Sequence, residues 1–578
     1  MPDRKEFVQN LNTTFGVLKS ERAAFDDVWR KVAVYESERM TMFDGQLGAD
    51  VDRMMRRDLR DVDNTCRQAI AVFSSGMLSG VCPPSDQWFS LRIADKSGGD
   101  ELKKYRPVAR WLEEVERVFV KDFTNKNFYT QQVSSYKHIG LYGMQCMLVG
   151  EAPHGGGTYY RDIPVDEIYI ANDYAGRVNL VFREMQVTLQ QAMEFFGKEN
   201  LSPCVQRMIE RKDFNANEKL TVVHAVVQKA PGYENIMGNN KLPYASYYFE
   251  PGEEHLISEG GYESMPYIVT RAYCDGRSPY SISPGTLALS DVLMINEIKR
   301  LLLQAGQLSV CPPTLMPDRG LVGRLNYTPG AINTFRKDGS TDVKDFQPLH
   351  LTGEFKPAME LMEKAQKDVN AAFFVDLFLM IHNRTQAGKG TPTAMEIQEL
   401  AQEKSFLLAP ILINQQQENF NRLFDRVFEI KKHEKGAIPP APRELQNAEI
   451  EIEYVSPLIR AQQNMQTQQI LQGLADLQGM IQAFPNVIDV LDADATVRRI
   501  LENRCMPASC IRTPEEVSQI RQAAQQAQMQ QMQQEQAAMQ GQQMLDGFKE
   551  LSRTPEAGSV VQQLMERMGA NMPGKEPR

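Results

Sequence analysis

The stretch that organises the hydrophobic pattern of the chain runs from Ser283 to His382, two helical patterns flanking a Pro/Gly-rich insert. Its first half places Leu287, Leu289, Val292, Leu293, Ile295, Ile298, Leu301, Leu302, Leu303 and Leu308 at helical spacing. These positions fill more than the single stripe that a one-sided surface helix needs, so a helix covered on two sides is expected. Ser283-Pro284 offers a capping hydroxyl followed by proline at the first helical position, and Cys311-Pro312-Pro313 offers a stop. Asp291, Glu297, Lys299 and Arg300 interrupt the run, which argues against a membrane span. A second helix is predicted from Phe355 to about Leu379, with Met359, Leu361, Met362, Ala365, Val369, Phe373 and Phe374 on its apolar side. Each helix would be about 35 Å long. Two long helices leaving and returning around a Pro/Gly-rich insert predict a stalk with a tip.

The rest of the chain is read against that stalk. Residues 3–80 read as helices, first through Phe7, Leu11, Phe15 and Leu18, then through Phe25, Val28, Trp29, Val32 and Tyr35. A polar loop near Phe43–Asp50 precedes a charged helix from Met54 to Leu78. A Gly/Pro stop then leads into a short strand, Trp88 to Ile93, with Trp88 expected as a core anchor. Helices are predicted over Tyr105–Asn125, Phe128–Leu141 and 189–212. A β-rich block spans Thr158–Ile163, Glu167–Ala171, Val178–Met185, Thr221–Val227, Ser246–Phe249 and Ile268–Ala272, and predicts an antiparallel sheet of several strands. After a loop at 381–394, a third long helix is predicted from Thr393 to about Lys432, closed by Gly436. Ile450–Val455 alternates as a strand with one buried face. From Pro457 the chain is helical and ends in the Gln/Met-rich tract Gln525–Met544, where helices that order on assembly are expected.

Composition narrows what such a chain can do. At 578 residues more than one packed region is expected. A net charge of −10 argues against gripping nucleic acid over the whole surface, while local contact through a loop or inner face stays open. The eight cysteines form no CxxC pair and read as reduced, mostly buried thiols. The charged N-terminus lacks the apolar core of a signal peptide, and no long uncharged apolar run exists, so a soluble protein is expected.

Enzyme signatures fail one at a time. Gly388-Lys389-Gly390-Thr391 resembles the end of a phosphate loop, but Asn383 stands where the first glycine is required. The seven histidines never form a close sequence pair. Asp492-Ala493-Asp494 reads as a helix N-terminus, not a metal site. No enzyme, cofactor or metal is expected.

Several landmarks occur in a telling order: Pro83-Pro84-Ser85 with Trp88-Phe89-Ser90-Leu91, then Arg277-Ser278-Pro279 leading into Ser283-Pro284-Gly285, and Asn370 with Phe373-Phe374. Thr391-Pro392-Thr393-Ala394, Glu403 with Leu407-Leu408 and Pro410, and Tyr454-Val455-Ser456-Pro457 follow. The ordered set, over about residues 5–470, resembles the head-to-tail connector (portal) proteins of short-tailed, T7-like bacteriophages. The resemblance implies a mixed, predominantly α subunit with an α+β wing. The wing would span residues 1–282 and 395–456, with stem helices at 283–310 and 351–380 and a clip at 311–350. A tunnel loop would occupy 381–394, a helical crown 457–558 and a flexible tail 559–578.

It further implies a homo-oligomeric ring, commonly of about twelve copies, at one capsid vertex of the virion. Double-stranded DNA would pass through it non-specifically. His382, Arg384 and Lys389 would face the DNA from the tunnel loop. Arg319, Arg324, Arg336 and Lys337 would serve the clip, which docks the terminase large subunit and then tail adaptor or tube proteins. Scaffolding protein and the major capsid protein would surround the ring, with synthesis in the bacterial cytoplasm and no membrane contact. Two other classes remain open from the residues alone: a cytosolic helical scaffold without a DNA channel, and a nuclease-like enzyme with a dispersed site.

Overall fold

A computed structural model describes residues 4–35, 63–94, 106–152, 157–211, 215–229, 241–318, 326, 328–336, 347–348, 355–379, 408–434, 436–445, 450–454, 467, 470–475, 492–503, 512 and 514–551. The N-terminal pattern becomes α1 (Arg4–Tyr35), and α2 (Thr65–Val81) follows. The loop at 43–50 and the start of the charged helix lie outside the described residues. Strand β1 (Phe89–Ile93) is followed by α3 (Arg106–Asn125) and α4 (Phe128–Tyr142).

The β-rich block forms two antiparallel sheets instead of one. The first has the order β3 (Thr158–Ile163), β2 (Met144–Glu151), β9 (Tyr267–Arg271). The second runs β4 (Ile168–Asn172), β5 (Val178–Thr188), β6 (Lys219–Gln228), β7 (Tyr244–Glu250), β8 (His255–Tyr262). Two short helices, α5 (Leu189–Phe196) and α6 (Pro203–Glu210), sit between β5 and β6 in sequence. A capping box of Thr188 and Gln191 starts α5, and Ser202 caps α6 ahead of its proline.

Next come α7 (Pro284–Val310), then β10 (Thr314–Asp318), β11 (Ile332–Arg336) and β12 (Gln347–Pro348), and then α8 (Lys356–Ala372) with the short α9 (Val375–Phe378). The helix α10 covers residues 408–433, with Gln415–Phe420 in π-helical form before Asn421–His433 returns to α. Strand β13 (Ile450–Tyr454) and helices α11 (Ala493–Asn503) and α12 (Pro514–Leu551) complete the elements. The fold is mixed and mainly α, as the sequence pattern predicts.

One core holds most of these elements. Trp88, 1% exposed, lies among Phe89, Phe123, Phe128, Phe420 and Phe424, with ring centroids 4.7–6.4 Å away. Its indole Nε1 donates to the Tyr129 hydroxyl at 3.3 Å. That cluster joins α3, α4 and α10 to β1, and β1 pairs antiparallel with β13, more than 350 positions later, from Phe89↔Tyr454 to Ile93↔Ile450. Strand β13 departs from the expected clean alternation: Ile452 and Tyr454 are half-buried, but Ile450 is exposed. The cysteines also differ from expectation. Cys66, Cys82 and Cys146 are buried, whereas Cys274 and Cys311 lie at the surface.

A second core lies where α1 crosses the five-stranded sheet. Phe7, Leu11, Phe15 and Leu18 pack on Tyr169, Phe182 and Tyr247, which satisfies the helical spacing read in the sequence. The buried Arg22 anchors the crossing: it donates to the carbonyls of Asp166 and Ile168 at 2.8 Å and pairs with Asp26 at 2.9 Å. Nearby, burial and the neighbouring Glu167 carboxylate push the Asp166 carboxyl up to about 7, against the pull of Arg22. A carboxyl whose folded pKa lies above its ordinary 3.8 stabilises the fold below that value, and the contribution is lost as pH rises through 7. Asp166→Asn is therefore expected to lose less stability than the parent between pH 4 and 7. Urea unfolding of both proteins across that range checks this, and parallel curves would refute it.

Candidate assembly and channel elements

The α7–α8 hairpin is the element on which an assembly surface can be built. Ser283 accepts from the Thr286 amide at 2.7 Å and its hydroxyl also donates to the Leu141 carbonyl at 2.7 Å, so the cap fixes the helix start to α4. At about 1.5 Å per residue, α7 is about 40 Å long and α8 about 25 Å. They pack along each other.

Two faces of α7 are apolar. Ala288, Val292 and Ile295 form the buried one. Leu287, Met294, Ile298, Leu301, Ala305 and Leu308 recur every three, four or seven residues on a face turned by about 120°, taking 100° per residue. Leu287 is 61% exposed and Leu301 53%, and the other four are half-buried. The first face is covered by the chain's own core; the second is only partly covered, with Leu287 and Leu301 left exposed. Beyond Asn296 no residue of α7 is buried, and in α8 only Ala365 and Val369 are.

The hairpin's base is held by polar and aromatic contacts. Lys299 pairs with Asp63 at 3.0 Å, and the Asn296 side-chain oxygen accepts from the Asp63 amide at 3.1 Å. Burial would raise the Asp63 carboxyl, but hydrogen bonds from Thr65 and Lys299 hold it below the usual carboxylate value. The predicted second helix is broken, not continuous. Phe374 adopts a left-handed φ of 56°, and α8 ends there before α9 begins. Phe373 and Phe378 both pack edge-on against Phe73, and Phe378 lies where a Cβ on Gly76 would stand, 2.2 Å away. Packing on α2 thus overrides helical propensity at Phe374.

The tip of the hairpin contains the small sheet β11–β10–β12, with β10 and β11 parallel and β12 antiparallel to β10. Arg336 ends β11 opposite Asp318 in the register. Asn333 and Asn326 bond reciprocally, the Asn333 amide donating to the Asn326 carbonyl at 2.8 Å. Arg319, Arg324 and Lys337 lie outside the described residues, as do His382, Arg384 and Lys389 of the predicted loop.

What sequence reasoning missed lies in α10. The π turn puts Glu418 against Arg271 of β9, where it accepts from the Arg271 amide at 2.9 Å and from the guanidinium. Asn414 donates to the carbonyls of Arg271 and Ala272. Asn414 and Glu418, four apart in a polar run, were the available signal for a helix face turned toward a sheet end. Among the described residues, no group of three or more His, Cys, Asp or Glu is placed to hold a metal ion, and no helix is long and apolar enough to cross a membrane.

Comparison with known proteins gives consistent matches. The model of the family described as "Bacteriophage head to tail connecting protein" matches residues 8–511. The "Portal protein" of Salmonella phage epsilon15 is 29% identical over 541 residues, covering 93% of this chain and 94% of that protein. The "Probable portal protein" of Bordetella phage BPP-1 is 28% identical over 489 residues, covering 84% and 85%. Among solved structures, a chain of the virion of a native gene transfer agent particle matches with 10% identity and a TM-score of 0.33, covering 75% of this chain and 92% of that one. A chain from the neck of the empty particle matches with 10% identity and a TM-score of 0.31, covering 74% and 90%. Neither structural likeness is strong enough to support an argument.

Proposed function

The chain belongs to the bacteriophage head to tail connecting proteins, and on that premise we propose how the subunit works. Identical copies close into a ring at one capsid vertex, and double-stranded DNA passes through the central channel during packaging and ejection. The observation that carries the ring is the partly exposed apolar stripe of α7 beside its covered one. A ring needs two different patches per subunit meeting head to tail, and a helix apolar on two sides supplies one of them while its other side holds the subunit together. The portal-protein names of the epsilon15 and BPP-1 relatives support the same reading over a helical scaffold without a channel.

In this reading α7 and α8 are the stem, residues 311–350 the clip and residues 381–394 the tunnel loop. The two sheets with α1–α6 and α10 form the wing, and residues 457–558 the crown. The clip carries Arg319, Arg324, Arg336, Lys337 and Lys344 against Asp318, Asp338, Asp342 and Asp345, a mixed composition suited to the terminase large subunit first and tail adaptor proteins later. Scaffolding and major capsid proteins meet the wing. The subunit is a component of the phage particle.

A packaging channel must not hold DNA tightly, because every retained phosphate contact is multiplied around the ring through counterion release. A chain of net charge −10 with few cations at its loop meets that requirement. His382, Arg384 and Lys389 touch passing phosphates transiently. Arg384→Gln with Lys389→Gln is expected to leave rings intact while altering DNA retention in a packaging assay. Wild-type packaging by intact variant rings would remove the loop from the mechanism.

A further inference from the structure

The π turn of α10 sets two pairs of polar side chains against the three-stranded sheet. Asn414 and Glu418 are the first pair, and their bonds reach the Arg271 and Ala272 backbone at the end of β9. Gln415 and Asn419 are the second, and both are fully buried, as are Gln145 of β2 and Thr270 of β9, each 0% exposed. Gln145 and Thr270 are direct partners in the antiparallel register, so their side chains leave the sheet on one face with Cβ atoms about 5 Å apart. The Gln415 Oε1 accepts from Asn419 Nδ2 at 2.8 Å and from Gln145 Nε2 at 3.5 Å. One polar cluster therefore joins helix to sheet inside the main apolar core, which takes Met144, Cys146, Val269 and Phe420 from the same elements. A single turn of π-helix, a form found mostly as short bulges at functional sites, covers both Gln415 and Asn419.

The bonds of this cluster do not balance. Among the described residues nothing bonds to Gln145 Oε1, Gln415 Nε2, Asn419 Oδ1 or Thr270 Oγ1, and all four atoms are shielded from bulk solvent. Turning all three amides over exchanges their donors and acceptors, and again leaves one polar atom of each amide without a partner. Buried polar atoms are paired as a rule, with protein or with ordered water. We propose that the cluster is an internal water site in which one water bridges α10 to β2 and β9. The water donates to Gln145 Oε1 and Asn419 Oδ1, and accepts from Gln415 Nε2 and the Thr270 hydroxyl. The donor set selects this ligand. Two acceptors, one amide donor and one hydroxyl match the two protons and two lone pairs of a single water, and buried waters typically make about three such bonds. A metal cation takes oxygen ligands alone, whereas either amide assignment puts an N–H in the set. An anion finds no charged group among the four side chains. The site lies within one subunit, so it holds whether or not the subunits close into a ring.

A density map of the full-length chain, at a resolution that shows ordered waters, tests the site directly. A peak within about 2.7–3.2 Å of at least three of the four atoms is expected. No peak, or side chains turned to bond one another, would overturn the site. Thr270→Val keeps the side-chain shape and the strand preference while removing one partner of the water. Its urea midpoint is expected to fall below that of the parent, because the water loses an anchor. Were the hydroxyl an unpaired buried group, its removal would leave the midpoint unchanged or raise it, and that result would overturn the proposal. Gln415→Met combined with Thr270→Val is expected to lose less than the sum of the two single losses, since either change already weakens the shared water. Additive losses would mean that the two side chains share no water. A midpoint that falls when choline replaces potassium in the parent, but not in Thr270→Val, would mean a bound cation and would also overturn the proposal. The map uses the unaltered chain, and it decides the matter if Thr270→Val fails to fold.

Discussion

Leu287→Glu combined with Leu301→Glu is expected to abolish ring formation while leaving the isolated subunit folded. Both side chains are more than half exposed on α7, so the subunit loses no fully buried side chain and its melting temperature should shift little. Glutamate is a good helix former, so the backbone of α7 is not compromised. In a ring the same positions lie in a desolvated contact, where an unpaired carboxylate costs several kcal/mol, and each copy would carry two. Light scattering should therefore report subunits where the parent gives assemblies. Rings at parental yield would show that this stripe is not the subunit contact.

Trp88→Ala is expected to destabilise the subunit by about 3–5 kcal/mol, the usual cost of removing a buried large aromatic side chain. Five aromatic rings surround Trp88, and they come from β1, α3, α4 and α10, so the cavity cannot close by moving one element. Trp88→Phe, which keeps a ring but loses the bond to Tyr129, should recover most of that loss. Urea unfolding of the unassembled chain measures both. A loss below about 1 kcal/mol for the alanine variant would mean that the cluster does not tie the elements together.

Local chemistry was legible wherever a residue acts on its immediate neighbours. Ser283-Pro284 and Cys311-Pro312-Pro313 bound α7 because capping and the missing proline amide operate within one turn. The excess of apolar positions in α7 predicts a helix covered on two sides; the chain itself buries one of those faces, and Leu287 and Leu301 stand exposed on the other. Long-range packing was not legible. The break at Phe374 arises from rings stacked on α2, three hundred residues earlier, and nothing in Phe373-Phe374 itself calls for a left-handed backbone. Strand β8 passed unnoticed because Glu259-Gly260-Gly261 reads as a turn, while its register with β7 makes it an edge strand. The split into two sheets depends on β2, whose partners β3 and β9 lie on either side of the five-stranded sheet in sequence. Of the candidate site residues, Arg336 alone has a described backbone position, opposite Asp318. The loop cations act as proposed only in an assembly that one chain does not contain.

The central claim is that this chain closes into a ring with an open channel. Negative-stain electron microscopy of the purified chain, with mass from light scattering, tests it most directly. The account predicts annular particles with a central hole and a mass of roughly ten or more copies of 65.6 kDa. Monomers or rods that persist when a scaffolding partner is co-expressed would contradict it.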